Sequence, residues 1–386
     1  TYIYANSNVG RDKTAIIKYD IANGKEIEEV FCHPNVDMSG LMHSKKRKVI
    51  TGVHYNTDKF HVAFFDSKRA ALQSRLEELL GTENEIYTVG ANKDEDKHLV
   101  VMASDRLAGV YYLYDEQKDT IVELANIKPW LNDADLAKMK PISFKSRDGM
   151  TMHGYLTLPK GAKAENLPVV INPHGGPWHR DSWGFNPEVQ FLANRGYAVL
   201  QINFRCSTGY GRKFWEASFK EWGLKMQDDL TAGANWLMEK GIADPKRIAI
   251  YGGSYGGYAT LAGVTFTPDL YACGIDFVGV SNLFTFMQTI PPYWKPFLDM
   301  MYEQVGHPEH DAEQMRATSP VFHADKIKVP VLVVQGAKDP RVNIDEADQI
   351  VDAMRKNNID VQYMVKENEG HGFSNQENRF EFYELM

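Results

Sequence analysis

The six residues 252–257, Gly-Gly-Ser-Tyr-Gly-Gly, constrain the fold of this chain more than any other segment. They follow an apolar run at 247–251 that predicts a buried strand, and they precede residues 258–263, which predict the first turns of a helix. Glycines on both sides permit close backbone approach and unusual dihedral angles. The segment therefore predicts that Ser254 lies on a sharp turn, with its hydroxyl above the edge of a sheet.

Strands and helices alternate from residue 140 to the end of the chain. The predicted strands are 168–172, 197–202, 247–251, 273–280, 329–335 and 361–365, and the amphipathic helices are 187–195, 227–240 and 344–357. Such alternation predicts a mostly parallel sheet that is covered on both faces. With a G-x-S-x-G turn, this pattern is typical of the α/β-hydrolase fold, in which the site lies at the carboxyl ends of the strands.

The first third of the chain has a different pattern, with short strands separated by polar turns. Strands are predicted at 15–20, 27–31, 48–53, 61–65, 98–103 and 109–114, with one helix at 70–80. Repeated units of this kind predict β-propeller blades, here two or three, which are too few to close a ring. We therefore expect that the chain starts inside a larger protein. The predicted domains are a partial propeller with its linker over 1–139 and an α/β-hydrolase domain over 140–386.

Composition excludes several classes of function. The net charge of −8 is unfavourable for nucleic-acid binding, and no apolar run is long enough to cross a membrane. Three cysteines are too few for a disulfide framework and favour a reducing compartment, so we predict a cytoplasmic location. The segment His-Pro-Glu-His-Asp at 307–311 fits no standard zinc spacing and is interpreted as a solvated loop. No metal or cofactor is predicted, and the sequence leaves homo-oligomerisation open.

A serine nucleophile needs a base, and the base needs an acid that orients it. In the α/β-hydrolase fold these residues occur in the order serine, acid, histidine. Asp339 follows the predicted strand 329–335, and His371, the only histidine after Asp339, follows the strand 361–365. Taken singly, Asp339 is also compatible with an ordinary turn and His371 with a surface loop. Their order predicts Ser254 as nucleophile, His371 as general base and then acid, and Asp339 as the orienting acid.

An oxyanion hole needs two N–H donors close to the developing negative charge. The backbone N–H of Tyr255, the residue after the serine, is the first candidate. The second should come from the loop after an early strand, where the chain has His-Gly-Gly-Pro at 174–177. We predict that Gly175 or Gly176 supplies it, the alternative being a tight turn with no catalytic role.

Several motifs together resemble those of a known family. They are His-Gly-Gly-Pro at 174–177, Asn-Phe-Arg at 203–205 with Ser-Thr-Gly-Tyr-Gly at 207–211, the turn 252–257, Asp-Pro-Arg-Val-Asn at 339–343 and Glu-Gly-His-Gly-Phe at 369–373. In this set the chain resembles the prolyl oligopeptidase family of serine peptidases, in its acylaminoacyl-peptidase-like branch. The resemblance implies a catalytic hydrolase domain covered by an N-terminal β-propeller that restricts entry to short peptides. It also implies the triad Ser254, Asp339 and His371.

The same resemblance implies roles for substrate-binding residues. Arg341 matches an arginine that binds substrate carbonyl groups. Four apolar residues match a pocket for the side chain before the scissile bond, namely Val280, Leu283, Phe286 and Val342. From the residues alone, the run 283–287 is equally compatible with a helix face packed in the core. Cys206 stands where relatives usually carry glycine, and we expect its thiol to be buried and inert.

These patterns predict a serine peptidase that hydrolyses short peptides through an acyl-enzyme. Two alternatives stay open, a carboxylesterase with the same residues and a peptide-binding module with a silent triad. The residue preference and the choice between exo and endo cleavage are not fixed by the sequence.

Overall fold

The computed structural model describes residues 1–386, which form eighteen strands and ten α-helices. The strands are β1 (Tyr2–Ser7), β2 (Ala15–Asp20), β3 (Lys25–Phe31), β4 (Met38–Ser44), β5 (Val49–Asn56), β6 (Phe60–Phe64), β7 (Glu85–Ala91), β8 (Lys97–Ala103), β9 (Val110–Asp115), β10 (Thr120–Asn126), β11 (Met139–Lys145), β12 (Thr151–Thr157), β13 (Leu167–Pro173), β14 (Ala198–Asn203), β15 (Ala243–Gly253), β16 (Cys273–Phe277), β17 (Val331–Gly336) and β18 (Val361–Lys366). The helices are α1 (Ser67–Leu80), α2 (Pro187–Asn194), α3 (Arg212–Glu216), α4 (Lys225–Glu239), α5 (Tyr255–Phe266), α6 (Leu283–Gln288), α7 (Leu298–Gln304), α8 (Ala312–Thr318), α9 (Ile344–Lys356) and α10 (Gln376–Leu385). None of these helices combines the length and the apolar character that crossing a bilayer requires.

The largest sheet has eight strands in the order β11-β12-β14-β13-β15-β16-β17-β18. The hairpin β11–β12 is antiparallel and joins β14 in antiparallel fashion, whereas the pairs from β14 through β18 are parallel. The chain goes from β13 to β14 on one side and then returns to β15 on the other. Such a reversal opens a crevice at the carboxyl ends of the strands, which is where ligands bind in sheets of this type.

Helices cover both faces of this sheet because its strand residues alternate between two cores. In β13, Val169 and Ile171 belong to a cluster of 44 buried residues that includes residues of α4, α5 and α9. Val170 belongs to a cluster of nine buried residues on the other face, with side chains of α2 and α10. This two-residue period is that of a strand with two covered faces.

Three small antiparallel sheets precede the large one. Two have three strands, β1-β2-β3 and β4-β5-β6, and the third has four, β10-β9-β8-β7. Their small cores are separate from the large clusters, and α1 packs Leu72 and Leu76 into one of them. The helix predicted at 70–80 is α1, which begins after Asp66, whose side chain accepts a hydrogen bond from the N–H of Arg69.

A buried ion pair connects the end of β14 with α4 and with the turn of the β11–β12 hairpin. Arg205 follows β14, and its guanidinium donates to both carboxylate oxygens of Asp229 at 2.8 and 2.9 Å. A further bond of 2.9 Å joins it to Asp148 in the β11–β12 turn. The Arg205 and Asp229 side chains are 2% and 0% exposed, so each charge depends on its partner.

We expect Arg205→Met to destabilise the protein by about 3–5 kcal/mol, because it leaves the Asp229 charge buried without a partner. Urea denaturation followed by circular dichroism measures this loss. The matched control is Arg212→Met, which removes an exposed i,i+4 pair with Glu216 and is expected to change the stability far less. Equal effects of the two substitutions would contradict the prediction.

Candidate active site

Ser254 occupies a strained turn between β15 and α5. Its dihedral angles are φ 60° and ψ −119°, a conformation that residues other than glycine rarely adopt. The turn is held by hydrogen bonds from the Ser254 N–H to the Phe277 oxygen (2.9 Å) and from the Tyr258 N–H to the Ser254 oxygen (3.0 Å). A β-carbon on Gly256 would lie 2.3 Å from the Pro173 oxygen, so glycine is required at that position. The structure thus has the sharp strand–helix turn that the sequence predicted.

Asp339 and His371 form a hydrogen-bonded pair. Oδ2 of Asp339 lies 2.7 Å from Nδ1 of His371. The other oxygen, Oδ1, accepts the N–H groups of Arg341 (2.8 Å) and Val342 (3.0 Å). Because the backbone fixes one carboxylate oxygen, the other has a defined direction toward the imidazole. This arrangement is what orienting a catalytic base requires.

The three predicted catalytic residues follow the carboxyl ends of β15, β17 and β18, which lie along one edge of the sheet. Two of them, Asp339 and His371, are in direct contact, whereas Ser254 Oγ makes no hydrogen bond with the imidazole. Catalytic hydrogen bonds are often long in the absence of substrate and shorten when it binds. The placement is therefore compatible with proton transfer from Ser254 to Nε2 of His371.

Glu369 holds the loop that carries His371, and sequence reasoning gave it no separate role. Its carboxylate accepts the N–H groups of Ser374 (2.8 Å) and Asn375 (2.9 Å) and the side-chain amide of Asn378 (2.7 Å). Burial would raise the pKa of Glu369, but these hydrogen bonds outweigh it and lower the pKa to about 2. An acid beside a glycine-flanked histidine and just before a helix is the signal that indicates such a loop-closing role.

The predicted oxyanion donors lie beside the serine. Tyr255 is the first residue of α5, so its N–H has no acceptor within the helix. Gly175 packs against the turn, since a β-carbon there would lie 3.0 Å from the Gly253 oxygen and 3.4 Å from Cβ of Ser254. Gly176 follows with φ 127°, a conformation that favours glycine. The structure brings the His-Gly-Gly loop and the serine turn together.

The side chain of His174 holds the His-Gly-Gly loop in place through hydrogen bonds and ring stacking. Its Nδ1 lies 2.8 Å from the Gly175 carbonyl oxygen and must donate, because a carbonyl only accepts. Its Nε2 then accepts the hydroxyl of Ser207 at 2.8 Å, and the ring stacks on Phe204 with centroids 4.4 Å apart. Burial lowers the pKa of His174 to about 4, so the ring is neutral near pH 7.

The four predicted pocket residues lie in the same buried cluster. Val280, Leu283, Phe286 and Val342 are all 5% exposed or less. Arg341 differs from them, because it is exposed and its guanidinium makes no hydrogen bond or ion pair within the chain.

Cys206 has φ 92°, a conformation that favours glycine and is strained for a cysteine. Its side chain is 1% exposed, and burial raises the pKa of the thiol to about 12. The thiol is therefore buried, as expected, and poorly reactive.

The residues His307, Glu309 and His310 lie closer together than their spacing suggested. Their ligand atoms are all within 4.8 Å of one another. However, Nδ1 of His307 accepts the backbone N–H groups of Glu309 (3.1 Å) and His310 (3.4 Å), so this nitrogen is occupied within the loop.

Comparison with known proteins identifies the family. The model of the prolyl oligopeptidase family matches residues 183–386, more than half of the chain. Dipeptidyl aminopeptidase BIII of Pseudoxanthomonas mexicana is 41% identical over 98% of this chain and 56% of its own length. Dipeptidyl peptidase family member 6 of Caenorhabditis elegans is 38% identical over 76% of this chain and 43% of its own length. The chain belongs to the prolyl oligopeptidase family, and it spans about half the length of these curated relatives.

Solved structures show the same fold. A puromycin-hydrolysing peptidase of Mycobacterium tuberculosis superimposes with a TM-score of 0.81 at 24% identity, over 96% of this chain and 57% of its own. An acylaminoacyl peptidase in complex with a chloromethyl ketone gives a TM-score of 0.74 at 22% identity, over 97% and 58%. The predicted fold class, an α/β-hydrolase fold preceded by a β-propeller segment, is confirmed.

We expect protonation of His174 to destabilise the protein in mild acid. Its folded-state pKa of about 4 lies below the ordinary value of 6.5, so the unfolded chain binds the proton more tightly. The stability contribution is complete above pH 6.5 and is lost as the pH falls toward 4, by about 3 kcal/mol in total.

Urea denaturation at about pH 7 and about pH 4.5 measures this effect. His174→Gln should lose about 2 kcal/mol less than the wild type between these two conditions. The exposed His43 is the control position, and His43→Gln should follow the wild type. An identical acid loss in the wild type and His174→Gln would show that His174 is not the responsible group.

Proposed function

We propose that this chain is a serine peptidase that hydrolyses peptide bonds of short peptides through an acyl-enzyme. The main support is the 2.7 Å pair of Asp339 and His371 on the edge of the sheet where Ser254 occupies its strained turn. Its relatives include a dipeptidyl aminopeptidase and an acylamino-acid-releasing enzyme, and both names describe enzymes that release a group from a peptide.

In the proposed mechanism, the Ser254 oxygen attacks the scissile carbonyl while Nε2 of His371 takes the hydroxyl proton. The Tyr255 N–H and an N–H of Gly175 or Gly176 stabilise the oxyanion. His371 then gives the proton to the leaving amine, which leaves an acyl group on Ser254. A water molecule, deprotonated by His371, then attacks the acyl carbon, and His371 returns the proton to the Ser254 oxygen as the ester bond breaks. Asp339 stabilises the imidazolium in both halves, and these steps use only the chain's own residues.

The proposed substrate contacts lie next to the acid. Arg341, with a free and exposed guanidinium two residues after Asp339, would bind substrate carbonyl groups. The residues Val280, Leu283, Phe286 and Val342 would form the apolar site for the side chain before the scissile bond.

We also propose that the chain divides near residue 139, since the eight-stranded sheet begins at Met139. The N-terminal part would be a portion of a propeller. A cytoplasmic location agrees with the three unpaired cysteines.

Covalent labelling tests the nucleophile. We expect a fluorophosphonate probe to label the chain and Ser254→Ala to abolish labelling, because the probe reacts with a serine activated by a base. His371→Ala should slow labelling by about 10³-fold or more. The control Ser374→Ala, at an exposed serine whose hydroxyl makes no hydrogen bond, should label normally. A folded chain that is not labelled would support the peptide-binding module instead.

Substrate comparison separates a peptidase from a carboxylesterase. We expect turnover of dipeptidyl and acyl-aminoacyl anilides as well as esters, since the proposed proton transfer from His371 serves an amine leaving group. The ratio of kcat/KM for matched anilides and esters measures this. Ester turnover without any anilide turnover would refute the peptidase and leave the carboxylesterase.

A further inference from the structure

The loop that contains Gly175 and Gly176 continues into a contact with an N-terminal hairpin. This hairpin comprises residues 56–60, the turn between β5 and β6. The guanidinium of Arg180 donates from Nη2 to the Thr57 carbonyl oxygen at 3.0 Å and from Nη1 to the Asn56 carbonyl oxygen at 3.5 Å. Both acceptors are backbone groups, so the contact depends on the shape of the hairpin.

Two further side chains of the hydrolase part hold the same hairpin. Nζ of Lys59 lies 3.7 Å from the ring centroid of Trp183, three residues after Arg180. The phenol of Tyr155, on β12, donates to the Asp58 carbonyl oxygen at 2.9 Å. The hairpin is therefore held at several points, which fixes the direction in which its carbonyl groups meet Arg180.

Arg180 also joins the loop 175–183 to the glycine-rich loop 207–211. Its Nη2 donates to the Tyr210 hydroxyl at 2.9 Å, and its guanidinium lies 4.6 Å from the Tyr210 ring centroid. A β-carbon on Gly209 would lie 2.8 Å from Nη1 of Arg180, so the side chain fills the space over that loop. The backbone adds a bond of 2.9 Å from the Thr208 N–H to the His179 oxygen.

We propose that Arg180 is a positioning residue through which the N-terminal hairpin holds the oxyanion loop in its catalytic geometry. This inference rests on the proposed function. Gly175 and Gly176 lie only a few residues before Arg180. Hydrogen-bond donors on a loop keep a precise position only when neighbouring residues hold the loop in place. A displacement of about 1 Å in such a site costs about 10²-fold in rate. The N-terminal segment thus takes part in forming the site in addition to lying against it.

The first test compares Arg180→Met and Arg180→Lys with the wild-type 386-residue chain on an anilide substrate. We expect Arg180→Met to lower kcat by about tenfold to hundredfold with KM changed less than about threefold, because misplaced donors affect mainly the transition state. Arg180→Lys keeps the charge, but an ammonium group cannot make the several in-plane contacts of a guanidinium. The kcat of this variant should therefore lie between those of the wild type and Arg180→Met. The control Arg212→Met removes an exposed arginine that pairs only with Glu216, and its kcat should be unchanged.

A peptide aldehyde supplies a readout that a general loss of structure would not give. Its adduct with the serine places an oxyanion in the hole, so its affinity for Arg180→Met should fall by the same factor as kcat. The affinity for a product peptide, which has no oxyanion, should stay within about threefold of the wild type. Equal loss of both affinities would overturn the inference.

Two milder substitutions test the same inference if the Arg180→Met variant does not fold. Tyr210→Phe removes one partner of the guanidinium and Lys59→Met removes one contact of the hairpin. We expect each to lower kcat by about threefold to tenfold, and Tyr210→Phe combined with Arg180→Lys to be non-additive. Unchanged kcat in both single variants, or in Arg180→Met itself, overturns the inference while the proposed function stands. A wild-type chain that is neither labelled by the fluorophosphonate nor active on any substrate would instead show that the proposed function is wrong, and the inference with it.

Discussion

Close backbone approach around Ser254 is the constraint on which the rest of the structure depends. Three chain segments meet there with little or no room for a β-carbon. On Gly256 that atom would lie 2.3 Å from the Pro173 oxygen, on Gly257 2.3 Å from Oδ1 of Asp276, and on Gly175 3.0 Å from the Gly253 oxygen. Only glycines let β15, α5 and the His-Gly-Gly loop meet at these distances. The same approach sets the serine in its strained turn and brings both kinds of predicted oxyanion donor beside it.

The acids near this turn have different environments and so different charges. Asp276 is fully buried against the first turn of α5, and burial raises its pKa to about 8, which leaves it neutral near pH 7. Glu369 is ionised because N–H donors surround its carboxylate. Asp339 accepts two backbone N–H groups with one oxygen and faces His371 with the other. The carboxylate of Asp339 therefore faces the imidazole, while the helix N-terminus beside Ser254 has a neutral acid, Asp276, next to it.

The sequence predicts the fold class and the acid–histidine pair because their signals are local. Ser254, Asp339 and His371 each follow a strand that apolar runs identify, and parallel strands bring their carboxyl ends to one edge. Arg180 and Thr57, which are hydrogen-bonded, lie 123 positions apart in the sequence, and no periodic pattern predicts this contact. The predicted pocket residues show another limit, since Leu283 and Phe286 would have the same apolar pattern in a core helix and in a binding site.

The N-terminal segment contacts two loops of the hydrolase part beside the site, and it also contacts α2 and the start of β11 through Asp105. Asp12 and Asp37 bind backbone N–H groups of the loop 209–213, and the hairpin 56–60 binds Arg180. Loops are the least stable parts of a domain when nothing holds them, whereas strands of a buried sheet need no such support. An N-terminal segment that acted only as a cover would be equally well placed on any part of the rim. Its contacts with the loops next to the predicted oxyanion donors are what a supporting role in catalysis requires, because those donors are the groups whose positions the eight-stranded sheet alone does not fix.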